Sequence, residues 1–271
     1  MIHVGSCLYA KLETVNPTGS IKDRPMKYIV ELGIKNKEIN GNTTLVEATS
    51  GNTGIALSAI GAALGLAVKI IMPRNMSQER RQMMLEFGSE IIDVEDSDFE
   101  GAIRLRNEMI KKDNHWSPMQ FENHLNIACH RETTGREIIE QIPKSTELSA
   151  FVSGAGTGGT IMGVREAIVD HGLSSHVCLV VPDEESHMHG IQGIGDGHDF
   201  LVNPDIVDMK YSVKTDDAIQ RASRFAKEMG VLVGISAGAN LCAAEKYIKT
   251  VKPSGAVVTI LCDRGERYLS V

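Results

Sequence analysis

Along the chain, short apolar runs alternate with stretches in which apolar residues recur every three or four positions, the pattern of strands followed by helices. Residues 7–12 alternate as a strand and run into the turn Asn16-Pro17-Thr18-Gly19-Ser20, which delivers Lys22 to the first turn of a helix. The apolar positions of that helix are Ile21, Met26, Ile29, Val30 and Leu32, with Ser20 as its expected N-cap. A strand over 43–47, a small-residue apolar helix over 55–64, a strand over 68–72 closed by Pro73, a helix over 77–87 capped by Ser77 and a strand over 90–94 follow. Two longer helices are expected over 99–112 and 123–141. After Pro143 the series restarts with a strand over 150–153, a glycine loop, a helix to residue 169 and a strand over 177–181. Residues 183–203 are polar and weakly periodic, and read as a loop near a ligand. A helix over 216–229, a short strand over 231–235, a helix over 237–249 and a last strand over 257–261 complete the chain. The alternation predicts an α/β fold of mainly parallel sheets flanked by helices, and 271 residues suit two lobes, 1–122 and 123–271.

Composition changes this picture only by exclusion. With 42% hydrophobic and 23% charged residues the chain is an ordinary globular one, and its formal net charge of −7 argues against a nucleic-acid footprint. Arg80-Arg81 and Lys111-Lys112 read as solvated helix faces. The five cysteines are odd in number, widely spaced and free of any C-x-x-C pair, so neither a disulfide framework nor a zinc site is expected, and a reducing cytoplasm fits. His187 and His189 have no third ligand at a recognisable spacing, so no metal is expected. The start lacks the pattern of a signal peptide, and no apolar run reaches the roughly 20 residues of a membrane helix. Neither a membrane nor a nucleic acid is an expected partner.

Four stretches could carry chemistry. Lys22 enters at the positive end of a helix, a poor place for an ordinary ammonium group and a better one for a lysine that holds a cofactor. From the turn alone it reads equally as a solvated surface lysine. Gly154-Ala155-Gly156-Thr157-Gly158-Gly159-Thr160 has the composition of an anion cradle, glycines letting N–H groups converge while Thr157 and Thr160 add hydroxyls; a strand-to-helix packing turn is the other reading. Several donors to one charged group, at roughly 1.5–3 kcal/mol each, outweigh the ~0.3–1 kcal/mol of an exposed helix dipole, so a phosphate suits it. Near as it comes to G-x-G-x-x-G, the loop lies mid-chain without a clear ribose-binding acid, and no G-x-x-x-x-G-K-[ST] loop exists. Thr49-Ser50-Gly51-Asn52-Thr53-Gly54 suits recognition of a carboxylate or, alternatively, elaborate helix capping; it is no nucleophile elbow. In Gly234-Ile235-Ser236-Ala237-Gly238, Ser236 is either an N-cap or a ligand-facing hydroxyl.

Taken in chain order, these four stretches resemble the fold-type II pyridoxal-phosphate enzymes, which share the tryptophan-synthase-β-like fold, and are most similar to the cysteine synthases (O-acetylserine sulfhydrylases). Glu47-Ala48 before the Thr49 loop, Met76-Ser77-Gln78-Glu79-Arg80-Arg81, Gln120-Phe121-Glu122-Asn123 and Cys262-Asp263-Arg264-Gly265-Glu266-Arg267 extend the resemblance over essentially the whole chain. Cys262-Asp263-Arg264-Gly265 and Lys22-Asp23-Arg24-Pro25 are similar to the B type, and Gly190-Ile191-Gln192-Gly193-Ile194-Gly195 to the A type. The resemblance implies pyridoxal 5'-phosphate as cofactor, with Lys22 as the Schiff-base lysine and proton carrier. It further implies Asn52 at the cofactor's phenolic oxygen, Gly156, Thr157, Gly158, Gly159 and Thr160 as the phosphate cup, and Ser236 as partner of the pyridine nitrogen. Thr49, Ser50, Gly51, Thr53, Gln120 and Gly193 are implied as substrate contacts. The implied reaction is β-replacement on O-acetylserine by sulfide or thiosulfate to give L-cysteine. The implied partners are the amino-acid substrate, a sulfur nucleophile, a second copy in a homodimer and, as a candidate, serine acetyltransferase. Cystathionine β-synthase-like or O-phosphoserine-using chemistry stands beside this, as does a catalytically impaired homologue that binds a ligand or partner. Relative to the family the chain is N-terminally short, which leaves open whether packing, dimer contacts or activity suffer. Residues 182–190 look shorter than in the A type and the paired arginines of the B type are missing, which leaves the sulfur donor open.

Overall fold

The computed structural model describes residues 1–49, 51–184, 190–191, 193–195 and 200–269. In chain order the first elements are β1 (Ile2–Gly5), β2 (Leu8–Leu12), α1 (Asp23–Lys35), β3 (Thr44–Ala48), α2 (Asn52–Leu64), β4 (Val68–Pro73), α3 (Gln78–Glu86), β5 (Glu90–Val94) and α4 (Phe99–Met109). They are followed by β6 (His115–Trp116), α5 (Leu125–His130), a π-helical segment Arg131–Gly135, α6 (Arg136–Gln141), β7 (Leu148–Gly154), α7 (Gly159–Asp170) and β8 (His176–Pro182). The last are β9 (Met209–Val213), α8 (Thr215–Met229), α9 (Ile235–Val251) and β10 (Ala256–Leu261).

These elements form two compact units. One comprises Asn16–Leu125 and the other Met1–Val15 with Asn126–Val271. In the 16–125 unit a parallel sheet runs β5-β4-β3-β6. Because side chains alternate along a strand, Leu45, Ile70 and Met72 join Met26, Ile29 and Val30 of α1 and Ile55 and Leu57 of α2 in one core, while Val46, Ala48 and Ile71 meet Ala102 and Met109 of α4 in another. The helix α2 is apolar along its buried part, residues 53–61, where both the sheet and its neighbouring helices pack on it.

The other unit holds a six-stranded sheet in the order β1-β2-β10-β7-β8-β9, parallel except for the β1–β2 pair. Its inner strands are almost continuously buried, as strands covered on both faces must be. Ala150, Val152, Cys178 and Val180 face α8 and α9, and α7 packs on β7 and β8.

Four expectations needed correction: Arg80, read as part of a solvated helix face, is buried, and the other three concern the elements themselves. Strand 7–12 belongs with the C-terminal part of the chain, since β2 pairs with β10 from Val257↔Leu8 to Leu261↔Leu12. Residues 231–235 form no ladder: Val233 makes an isolated bridge to Arg264, and Ile235 already begins α9. The single helix read over 123–141 is interrupted by the π segment, whose extra residue leaves no trace in a 3.6-residue pattern. The short edge strands β1, β6 and β9 were not anticipated, because runs of only two to five residues are too short for a period to stand out.

Candidate functional site

The lysine turn is built by its own side chains. Gly19 takes φ +81°, Gly19 N donates to Asn16 O at 2.8 Å, and Asn16 Nδ2 donates to Ser20 O at 3.0 Å. From inside the helix Asp23 reaches back, accepting from Thr18 N at 2.7 Å and from the Thr18 hydroxyl. A carboxylate in the first turn also complements the helix dipole. Ser20 is not the N-cap: Lys22 holds that position, and the Ser20 hydroxyl accepts from Lys22 N at 3.3 Å. Lys22 is half-buried, presented by a turn fixed on both sides.

In the same unit, β3 ends at Ala48 and Thr49 N continues the ladder to Ile71 O at 3.0 Å. Gly51 holds the N-cap position of α2 and has no side chain to cap with, while Gly51 N donates to Thr49 Oγ1 at 3.4 Å. Asn52 opens the helix, and buried Thr53 donates through Oγ1 to Gln120 Oε1 at 2.6 Å. Gln120 is held twice more, its Nε2 donating to Ala48 O at 3.3 Å and its backbone N to Glu47 Oε2 at 3.1 Å. The strand β6 covers β3 only as far as Leu45, so the segment carrying Gln120 fastens along the edge of β3 that is left over. Thr49, Thr53 and Gln120 are thereby gathered at one strand end, where open parallel sheets carry their ligands. Ser50 lies outside the described residues, as do His187 and His189.

The glycine loop occupies the equivalent place after β7 in the other unit. Gly158 precedes α7 with φ +92°, and a Cβ there would stand 2.6 Å from Val202 N; one on Gly156 would stand 2.7 Å from Gly193 O. The loop is therefore close-packed by residues 193–195 and 201–202, which also bond to it through Gly195 N to Ala155 O at 2.8 Å and Leu201 N to Thr157 O at 3.0 Å. Thr157 and Thr160 flank the first turn of α7, whose N–H groups have no intrahelical acceptor. This arrangement can hold an anion. Ser236 lies inside the first turn of α9, buried, while Gly234 occupies the N-cap, so Ser236 is not a cap either.

Sequence reasoning missed the residues that brace these loops. Asn126 Nδ2 donates to Thr157 Oγ1 at 3.0 Å, His130 Nε2 lies 3.4 Å from Thr160 Oγ1, and Asn240 Oδ1 accepts from Gly154 N at 2.8 Å. The spacing of Asn126 and His130, four apart on one helix face, was the available signal. Glu47 and Arg106 are both fully buried, joined at 3.3 Å, and Arg106 also donates to Glu122 at 2.8 Å. A charged residue at the end of a buried strand was a signal for Glu47, whereas Arg106 sits in a helix whose charges look like a solvated face.

Burial pushes Glu47 up to about 7, more than Arg106 and the N–H donors of Gln120 and Ala48 draw it down. Glu47 thus keeps its proton to higher pH in the folded chain than in the unfolded one. The resulting stability is fully present below 4.5 and is lost as pH rises through about 7. Expressed as the difference in Tm between wild type and Glu47→Gln, the wild type should lose ground from pH 4.5 to pH 8; a flat difference would refute the assignment. Burial raises the Cys178 and Cys242 thiols to about 12 and about 11, so neither is a ready nucleophile. Among the described residues no group of three His, Cys, Asp or Glu could hold a metal, and no helix is long and apolar enough to cross a membrane.

Residues 2–263 match the family described as pyridoxal-phosphate dependent enzyme. A cysteine synthase of Staphylococcus aureus is 38% identical over 274 aligned residues, covering 97% of this chain and 87% of that protein. Cysteine synthase B of Campylobacter jejuni is 40% identical over 276, covering 98% and 91%. Among solved structures, an O-acetylserine dependent cystathionine β-synthase from Helicobacter pylori superimposes with a TM-score of 0.90 at 33% identity, covering 97% of this chain and 89% of that one.

Proposed function

Because the chain belongs to the pyridoxal-phosphate dependent enzymes, we propose that it forms L-cysteine by replacing the β-acetoxy group of O-acetylserine with a sulfur nucleophile. The fold is that of the fold-type II members of the family, and the enzyme uses pyridoxal 5'-phosphate. The residues present fit that group: the glycine loop leaves no room for a side chain at Gly156 or Gly158 and offers hydroxyls and helix N–H groups to a phosphate ester, and Lys22 stands half-buried on a braced turn. When bound, the cofactor withdraws electrons from the substrate's α-carbon, which acidifies its proton and lets the β-substituent depart.

The chain's own residues divide the remaining work. Lys22 Nζ would hold the cofactor at rest and, when free, would take the substrate's α-proton and later return it. Gly156, Thr157, Gly158, Gly159 and Thr160 would hold the phosphate, Asn52 would donate to the ring oxygen, and the uncharged Ser236 hydroxyl would serve the ring nitrogen. Thr49, Ser50, Gly51, Thr53 and Gln120 receive the substrate carboxylate, with Gly193 at the edge of the substrate. Acetate leaves with its electron pair, and sulfide adds to the β-carbon in its place. The observation that carries this reading is the 2.6 Å bond from Thr53 to Gln120, which gathers residues 67 positions apart beside Thr49.

A second reading, homocysteine as the nucleophile, is favoured by the likeness to the Helicobacter pylori enzyme. A cytoplasmic homodimer, with serine acetyltransferase as a candidate partner, completes the proposal. A product assay tests it: O-acetylserine, O-phosphoserine and serine are each combined with sulfide, thiosulfate and homocysteine. Cysteine from O-acetylserine and sulfide should have the highest kcat/KM, by tenfold or more over O-phosphoserine and serine. Cystathionine as the preferred product would establish the second reading, and no product from any pair would overturn both.

A further inference from the structure

We infer that Glu47, locked by Arg106, is a positioning residue for the substrate's carboxylate site, acting through Gln120. The inference rests on the assignment of Thr53 and Gln120 proposed above. The buried carboxylate of Glu47 has three partners on two oxygens: Oε1 accepts from Ala48 N at 2.8 Å and Arg106 Nη1 at 3.3 Å, and Oε2 accepts from Gln120 N at 3.1 Å. Arg106, itself fully buried, uses its other face on Glu122, two residues beyond Gln120, with bonds at 2.8 and 3.4 Å. Both charges therefore grip the segment 120–122, which no strand ladder holds because β6 stops at Trp116. An ion pair this deep is weak evidence of stabilisation, since apolar groups of the same shape often serve as well. What this pair supplies is a fixed place for Gln120, whose side chain in turn holds the Thr53 hydroxyl.

The partner count predicts what a neutral Glu47 does. In Glu47→Gln the amide oxygen takes the position that faces two donors, so the NH2 group turns toward Gln120 N, a donor against a donor. Gln120 is pushed away from β3. Protonation of Glu47 has the same effect, its proton falling on the oxygen with the single donor, and burial brings that event up to about 7. The charged groups facing Glu47 are Arg106 from α4 and Glu122 from the segment after β6.

The test uses holoenzyme and L-alanine, an α-amino acid with no β-leaving group, titrated by the change in the cofactor's visible spectrum at pH 6 and pH 8. Wild type, Glu47→Gln and Gln120→Ala are compared, with cofactor content measured for each. Glu47→Gln should keep its cofactor, bind alanine about tenfold more weakly at pH 8, and show KM for O-acetylserine rising with kcat changed less than about twofold. Wild-type affinity should fall from pH 8 to pH 6, and that fall should shrink in the variant. Should Glu47→Gln not fold, Glu47→Asp keeps the charge for Arg106 while drawing the carboxylate back from Gln120, and the same results are expected. Alanine binding by the Glu47 variant equal to wild type, with binding by Gln120→Ala weakened, overturns the inference and leaves the carboxylate site standing. Unchanged binding by Gln120→Ala, or no alanine binding by wild type, removes the site itself and the inference with it.

Discussion

Replacing Lys22 by alanine is expected to leave a folded protein that binds pyridoxal phosphate without a covalent bond and turns over at least about a thousandfold more slowly. The fold should survive because the turn is built from other groups: the Lys22 backbone takes part through Lys22 N to Ser20 Oγ and Met26 N to Lys22 O, bonds that alanine keeps. Asn16 and Asp23 hold the rest of it. The loss in rate is large because one nitrogen carries both the anchor and the proton. Borohydride reduction followed by peptide mapping is the direct check. In wild type the cofactor's mass should appear on the peptide containing Lys22, and in Lys22→Ala no peptide should carry it. Labelling of a different lysine, or undiminished turnover by the variant, would overturn the assignment.

Gly158→Ala should produce the second-largest effect. At φ +92° an alanine is strained by about 1–2 kcal/mol, and its Cβ would press on the backbone of Leu201 and Val202, which cannot yield as a flexible side chain does. Moving that backbone disturbs the Leu201 N to Thr157 O bond and with it the convergence of donors on the anion. Losing even one hydrogen bond to a charged group costs about 1.5–3 kcal/mol. The strain weighs on the fold with or without the cofactor, whereas the lost bond corresponds to affinity for pyridoxal phosphate weakened by on the order of tenfold to a hundredfold. Titrations of the apoprotein should show that loss for pyridoxal phosphate and little change for pyridoxal, which lacks the phosphate. Gly172→Ala is the control: its φ is also positive, at +66°, but nothing lies within 4 Å of the added Cβ, so it should lower stability modestly and leave cofactor affinity alone. An equal loss for pyridoxal, or none at all, would refute the phosphate assignment.

Most of the architecture was legible along the chain because it rests on local rules. The sequence of strand, glycine loop and helix around residues 150–169 follows from period and composition alone, and so does the delivery of Lys22 to a helix start. Where the reading went astray, partners that composition and period do not reveal decided the outcome, some of them within the same turn and some far along the chain. The Ser20 hydroxyl had a better partner in Lys22 N than in any residue further into α1, since Asp23 already served the turn. Residues 231–235 have strand-like composition, yet no neighbouring strand offers more than one bridge.

By itself, then, the sequence determined the alternation of elements, the identity and order of the glycine loops and the position of Lys22 at a helix entrance, because period, proline and glycine act within a few residues. Only the tertiary structure decided that β2 lies beside β10, that Thr53 meets Gln120, and that Arg106, 59 residues from Glu47, is a buried partner rather than a surface charge. The reason is physical. Burial and pairing depend on what the rest of the chain brings alongside, and a charge on a helix looks the same in sequence whether water or a carboxylate receives it.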